Sequence, residues 1–303
     1  MLPIVHHPAY SAKLPAGHRF PMSKFHLLHE ELERAGLVGA VNRFVPELAP
    51  RSWLELVHTP RYVGDILAQT LAEDAVRRLG LPASVEVATR ARAATAGTVL
   101  AARLALEHGI ACNTAGGSHH AFADAGAGFC VFNDVAVAAA VLLAEGSVHR
   151  VLVVDLDVHQ SDGTAEIFQA DPRVFTLSLH AASNFPARKK TSTCDVPLPR
   201  DLDDDAYMAQ LAAVLPPVLA AFAPDLVFYN AGVDPHRSDR LGHLALTDGG
   251  LAARDAYVLR QVTDRGVPVV GVIGGGYDDD RAALARRHAI LHRTADRRIR
   301  ALG

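Results

Sequence analysis

At 303 residues, 50% of them hydrophobic, the chain carries enough apolar material for one large α/β domain or two small ones. A net charge of −3 leaves no electrostatic footprint for nucleic acid. The cysteines (Cys112, Cys130, Cys194) form no CxxC pair, the N-terminus MLPIVHHPAY shows no signal-peptide pattern, and no apolar run reaches about 18 residues, so a soluble, cytoplasmic protein without membrane contact is expected.

Taken in chain order, residues 2–6 read as a short first strand and 7–22 as a loop rich in Pro, Gly and His. Ser23 is expected to cap a helix over 24–36. A short strand at 44–46, a helix at 49–58 and another from Thr59-Pro60 to residue 72 follow. The Ala-rich stretch 83–108 reads as a long helix closed by Gly109. Beyond it, strands at 110–113, 174–179, 225–230 and 267–273 alternate with helices at 134–145, 164–170, 204–222, 247–264 and 279–295. The stretch RVLVVDLDVHQSDG, 150–163, supplies the central strand, apolar at first and polar at its end. Such alternation argues for a parallel sheet with helices on both faces, within one domain over 1–303. Ligands of such sheets bind beyond the carboxyl ends of the strands. The polar clusters His119-His120, Asp155-Asp157-His159, Ser178-His180, Asp234 and Tyr277 all fall there.

Asp155, Asp157 and His159 are two apart, so a continuing strand would point all three to one face. Two carboxylates and an imidazole suit zinc or ferrous iron; a polar strand end capping the next helix is the alternative. Asp157, His159 and Asp234 are the expected ligands, leaving positions open for water and substrate. Asp234 ends the buried run VFYNAGVD and would otherwise cap the turn at Pro235. The tandem His119-His120 fits metal ligands, a charged loop or an acid/base pair, with Asp155 and Asp162 available to orient imidazoles. Tyr277 follows Gly274–Gly276; its phenol would donate to a developing oxyanion or merely pack at a strand end. GAGFCVF, with Gly128 and Phe129, reads as a channel wall or as ordinary loop packing.

Together GGSHHAF, GFCVFND, DLDVHQSDGT, TLSLH, YNAGVDP and GGGY, in that order, resemble the histone deacetylase family over nearly the whole chain. LPAGHRFPMSKF, NFPARK and DRLGHLALT are most similar to class IV enzymes and their bacterial relatives. The resemblance implies the three-layer arginase/deacetylase fold, a mainly parallel sheet of about eight strands between helices. It implies that Asp157, His159 and Asp234 bind zinc, that His119 and His120 pair with Asp155 and Asp162, and that Tyr277 polarises an amide carbonyl. Gly128 and Phe129 would border an acyl-lysine tunnel, with Phe185 a candidate for its second wall. Asp155, Ser178 and Leu179 would contribute to a structural potassium site, and Arg19 would lie near the tunnel foot. Acylated lysine in a protein, or a small acylated amine, is the implied substrate. Polyamine-specific relatives carry an acid near Leu241; leucine here favours neutral or peptide-like amides, with Asp239 the nearby acid.

Two rivals share these residues. A two-metal ureohydrolase needs carboxylates where Ser161 and Gly232 stand. A non-catalytic acyl-group reader would keep the pocket but has no use for His119, His120 and Tyr277 together.

Overall fold

The computed structural model describes residues 1–302. Eight strands form one sheet: β1 (Ile4–Val5), β2 (Arg43–Phe44), β3 (Ile110–Asn113), β4 (Val151–Asp155), β5 (Val174–Ala181), β6 (Cys194–Leu198), β7 (Leu226–Asn230) and β8 (Val269–Val272). Their order is β2-β1-β3-β8-β7-β4-β5-β6, and every pairing is parallel. All residues of β3, β4, β7 and β8 are buried, which is why these strands read as unbroken apolar runs.

The helices are α1 (Lys24–Arg34), α2 (Arg51–Leu54), α3 (Pro60–Ala68), α4 (Glu73–Leu79), α5 (Val85–His108), α6 (Asp134–Ala144), α7 (Asp162–Phe168), α8 (Asp204–Phe222), α9 (Asp248–Thr263) and α10 (Arg281–Leu302). They lie on both faces of the sheet. Asn113 Nδ2 donates to Ala94 O and Thr98 Oγ1 of α5, at 3.3 and 3.1 Å. Its neighbour Cys112 and Leu291 of α10 both crowd Gly271 of β8. Adjacent strand residues point to opposite faces, so α5 and α10 sandwich the sheet. Helix α8 is long and apolar enough in composition to cross a bilayer, yet it packs against α9 and buries Tyr207, Leu211, Leu215 and Leu219 as one stripe.

Several local expectations are corrected. Ser23 makes no side-chain cap and is itself helical in φ and ψ. The helix expected over 49–58 shrinks to α2. The one expected to reach residue 72 stops at Ala68, because Gln69 turns left-handed, and α4 begins afresh. Strand β6, an edge strand with mixed burial and Pro197 inside it, gives little periodic signal. The strand beginning at Val151 ends at Asp155, so Asp157 and His159 lie in the loop beyond it. Strand alternation therefore does not align Asp155, Asp157 and His159 on one face; the loop brings Asp157 and His159 together.

Buried His58, between α2 and α3, ties that connection to the loop before α6. Its Nδ1–H donates to Phe122 O at 2.9 Å, and its Nε2 accepts from the Asn133 N–H at 3.0 Å. Only the neutral ring satisfies both. Burial lowers its pKa from 6.5 to about 4. Since the folded value lies below the unfolded one, this contribution is complete above about pH 6.5 and is lost as pH falls toward 4. Thermal unfolding followed by circular dichroism should show Tm dropping across this window, less steeply in His58→Gln. An identical slope in the variant would contradict the assignment.

Candidate active site

The site sits beyond the carboxyl ends of β4, β7 and β8. Register sets Asp155 opposite Asn230 on β7 and opposite Ser178 on β5. The next turns of β4 and β7 then deliver Asp157, His159 and Asp234, whose ligating atoms all lie within 4.8 Å of one another. His159 Nδ1 is 2.9 Å from Asp157 Oδ1 and 3.2 Å from Asp234 Oδ2. Asp234 Oδ2 is buried and accepts no hydrogen bond of good geometry. Its Oδ1 accepts from the Val158 N–H at 2.9 Å, and Asp157 Oδ2 accepts from the Gly275 N–H at 2.6 Å.

Electrostatically, the cluster is two buried carboxylates around one imidazole. Burial disfavours a charged His159, but Asp157 and Asp234 outweigh it and lift its pKa to about 10. Burial, with Asp157, raises Asp234 to about 7. Burial also opposes ionisation of Asp157, yet His119 and His159 hold it well below the usual carboxylate range. An oxygen–oxygen–nitrogen set with an unsatisfied oxygen is the donor chemistry of a divalent cation, and these residues fit one.

The tandem histidines are separated electrically. His119 Nδ1–H donates to Asp155 Oδ2 at 2.8 Å, and His120 Nδ1–H to Asp162 Oδ1 at 2.6 Å. Burial works against a charged His119, but Asp155 and Asp157 raise it to about 9. Burial and then cationic His119 push His120 down to about 4. Tyr277 stands edge-on to His159, ring centres 6.2 Å apart. Burial and the charges of Asp157 and Asp234 push its phenol far up, so it stays a proton donor.

Two cavities meet here, sharing His120, Gly128, Phe129 and Tyr277. The outer, about 450 Å³, is lined also by Arg19, Arg78, Phe185, Arg240, Leu241 and His243. Phe185 meets His120 edge-on at 4.8 Å, forming the second wall opposite Phe129. Gly128 and Phe129 are both left-handed, at φ 53° and 68°. A Cβ at Gly128 would come within 2.6 Å of the His120 ring, so only glycine fits. Asp239 does not face the mouth: it accepts from the N–H groups of Leu241, Gly242 and Tyr277 at 2.9, 3.0 and 2.6 Å.

Arg19 departs from its expected place at the tunnel foot. Its guanidinium stacks over Phe129, 5.1 Å from the ring centre, in the outer cavity. Besides His119, which pairs with Asp155, the inner cavity holds the cations Lys24 of α1 and Arg90 of α5, both buried. Burial lowers them to about 8 and about 10. Neither is among the residues expected from the sequence, nor is Asn230, whose Nδ2 donates to Asp155 Oδ2 at 3.0 Å. A polar residue closing the buried strand LVFYN was the signal for Asn230; Lys24 and Arg90 gave none.

The family profile described as "Histone deacetylase domain" matches residues 18–292. An uncharacterized protein of Picosynechococcus sp. is 52% identical over 97% of this chain and 98% of its own. Histone deacetylase 2 of Arabidopsis thaliana is 34% identical over 60% of this chain, which spans only 48% of that relative. The acetoin utilization protein AcuC of Staphylococcus aureus is 29% identical over 86% of this chain and 73% of its own. In three dimensions the crystal structure of the HDA15 HD domain superposes with a TM-score of 0.82 at 23% identity, covering 98% of this chain and 90% of the other.

The cluster depends on a close backbone approach at Gly275. A Cβ there would lie 2.1 Å from Asp234 Oδ2 and 2.7 Å from Asp157 Oδ2. Gly275→Ala should therefore weaken Zn²⁺ or Co²⁺ binding about 10- to 100-fold. Cobalt titration followed by visible absorption checks this, with circular dichroism expected to show the sheet intact.

Proposed function

The chain belongs to the histone deacetylase family and is a deacetylase-type hydrolase; from that premise we propose that it is a zinc-dependent deacylase of acyl-lysine or closely related acylated amines, nearest in kind to the class IV enzymes. The observation that carries this reading is the grouping of Asp157, His159 and Asp234 within 4.8 Å at the junction of two cavities. Zinc is preferred, ferrous iron being the other cation suited to such donors. Held by Asp157, His159 and Asp234, such a metal would supply Lewis acidity for an amide carbonyl and a water.

The remaining chemistry belongs to the chain. His120, neutral at pH 7, accepts the proton of the attacking water, held in orientation by Asp162. His119, kept cationic by Asp155, sets a positive field beside it and, with His120, returns a proton to the leaving amine. Tyr277 donates its O–H to the oxyanion of the tetrahedral intermediate. Asp155 and Ser178, side by side across β4 and β5, with the backbone of Leu179, are assigned to a structural potassium ion.

The outer cavity receives the amine half. Its rim carries Arg19, Arg78 and Arg240, the last paired with Asp279, while Asp239 is occupied by backbone amides. A polycationic amine meets like charge and no free carboxylate, which favours acetyl-lysine peptides over acetylpolyamines. Comparing kcat/KM for an acetyl-lysine peptide and acetylspermidine tests the substrate assignment; a clear advantage for the polyamine would overturn it.

Two further outcomes are expected. Elemental analysis should find about one zinc or iron per chain, Ser161 and Gly232 offering no carboxylate for a second. Tyr277→Phe should lower kcat by about 10²-fold or more with metal content unchanged. Near-full activity in that variant would mean the phenol only packs.

A further inference from the structure

The inner cavity holds two buried cations that no acid neutralises. Lys24 Nζ donates to the Gly274 carbonyl at 2.9 Å. Arg90 Nε has no hydrogen-bond partner, and the guanidinium rests against the Phe25 and Phe20 rings, 4.6 and 5.6 Å from their centres. Among the described residues neither forms an ion pair. The carboxylates acting on Lys24 from a distance are Asp234, Asp157 and Asp239. The first two belong to the metal cluster, and the third is taken up by backbone N–H groups. Asp134, which acts on Arg90, serves Thr98 and the N–H groups of Gly117 and Ser118. Buried charges without partners are costly, and a guanidinium and an ammonium lining one inner cavity match a carboxylate.

Geometry then decides which carboxylate. An amide whose carbonyl lies at the cluster beside Tyr277 must extend one half into each cavity. The outer, about 450 Å³, takes the amine half; the inner, about 30 Å³, takes what lies beyond the carbonyl. A water needs about 10–15 Å³ by such a measure, so the inner cavity has room for a few heavy atoms, enough for a short acid-bearing group and too little for a long alkyl chain.

We propose that Arg90 and Lys24 form a carboxylate subsite for the far end of a short dicarboxylic acyl group, making malonyl- or succinyl-lysine a preferred substrate class. This rests on the acyl-lysine deacylase reading and narrows it. The step is hydrolysis: the water oxygen bonds to the acyl carbon, the C–N bond breaks, and the amine leaves with a proton. The products are the peptide with its lysine amine restored and a dicarboxylate, with no co-reactant besides water. The other source of the same chemistry is the acetate released by ordinary deacetylation.

The test uses the metal-loaded full chain and peptides identical except at one lysine, bearing acetyl, malonyl, succinyl or succinamoyl groups. Succinamoyl has the shape of succinyl without its charge. The kcat/KM ratio of succinyl to succinamoyl, or of malonyl to acetyl, should be about 10 or more. It should fall toward one in Arg90→Gln and recover in part in Arg90→Lys, a ratio within each variant cancelling general damage to the fold. Binding of the same peptides, measured by fluorescence polarisation, should follow the same order. Cleavage of the acetyl peptide with both ratios at or below one overturns the subsite and leaves the deacylase reading intact. The same ratios, with acetate inhibition relieved in Arg90→Gln, reduce the cavity to a product outlet and equally overturn it. Tighter binding of the acidic peptide with no cleavage of any peptide keeps the subsite and sinks the deacylase reading.

Discussion

Arg254 is the constraint on which the site depends. It is fully buried on α9, and its Nη1 donates to Gly232 O at 2.7 Å and Leu156 O at 3.2 Å. These carbonyls lie just upstream of Asp234 and Asp157, where β4 and β7 have ended. One guanidinium therefore fixes how far apart two cluster carboxylates stand. Its own charge is met by Asp255, which accepts from Arg254 Nε at 3.0 Å and from the Tyr229 hydroxyl at 2.6 Å. Breaking a buried pair of this kind costs about 3–5 kcal/mol, because the remaining charge keeps its desolvation without its partner. A hydrophobic replacement would relieve that cost and still release both carbonyls, so the network specifies geometry more than it adds stability.

From this scaffold the electrostatics follow in sequence. Two imidazoles with ring centres 4.1 Å apart do not both carry charge in a buried site. The one facing two carboxylates, His119, takes the proton; the other, His120, faces one and is repelled by its neighbour. The split between about 9 and about 4 thus arises from Asp155 and Asp157 lying on the His119 side. Asn230, opposite Asp155 in register, shares the same carboxylate oxygen and holds it toward the ring.

Much of this was legible in the residues. The apolar runs of β4, β7 and β8 announce strands buried on both faces, and the polar groups that end them announce a site. The parallel sheet and its helices follow from that alternation. What stayed hidden was set by tertiary partners. Asp155 ends its strand because the chain turns away to place His159 against Asp234, and periodicity does not encode a turn without Gly or Pro. Lys24, Arg90 and Arg254 look like ordinary cations of helices, since a burial decided by packing against α1, α5 and the strand ends leaves no mark on the helix's own pattern. The motif position of Arg19 points toward the tunnel foot, yet its guanidinium stacks on the ring of Phe129 in the outer cavity.

The division between strand ends and loops also separates what is fixed from what is adjustable. Asp157, His159, Asp234 and the histidine partners stand on or beside buried strand ends, where a shift of one group disturbs several others. Phe129, Phe185 and Leu241 come from three separate loops and together shape the outer cavity. Phe129 is held in a left-handed conformation by its N–H, which donates to Leu79 O at 2.8 Å. Helix α4 thus supports a wall of the mouth while touching none of the cluster. On the proposed binding mode, sequence change in α4 or in the loops would remodel the amine half of the pocket and leave the chemistry in place, whereas change at Lys24 or Arg90, packed inside the helices, would alter the acyl half. On the proposed binding mode the two halves of an amide are thus read largely by different parts of the fold, while His120, Gly128, Phe129 and Tyr277, common to both cavities, couple them.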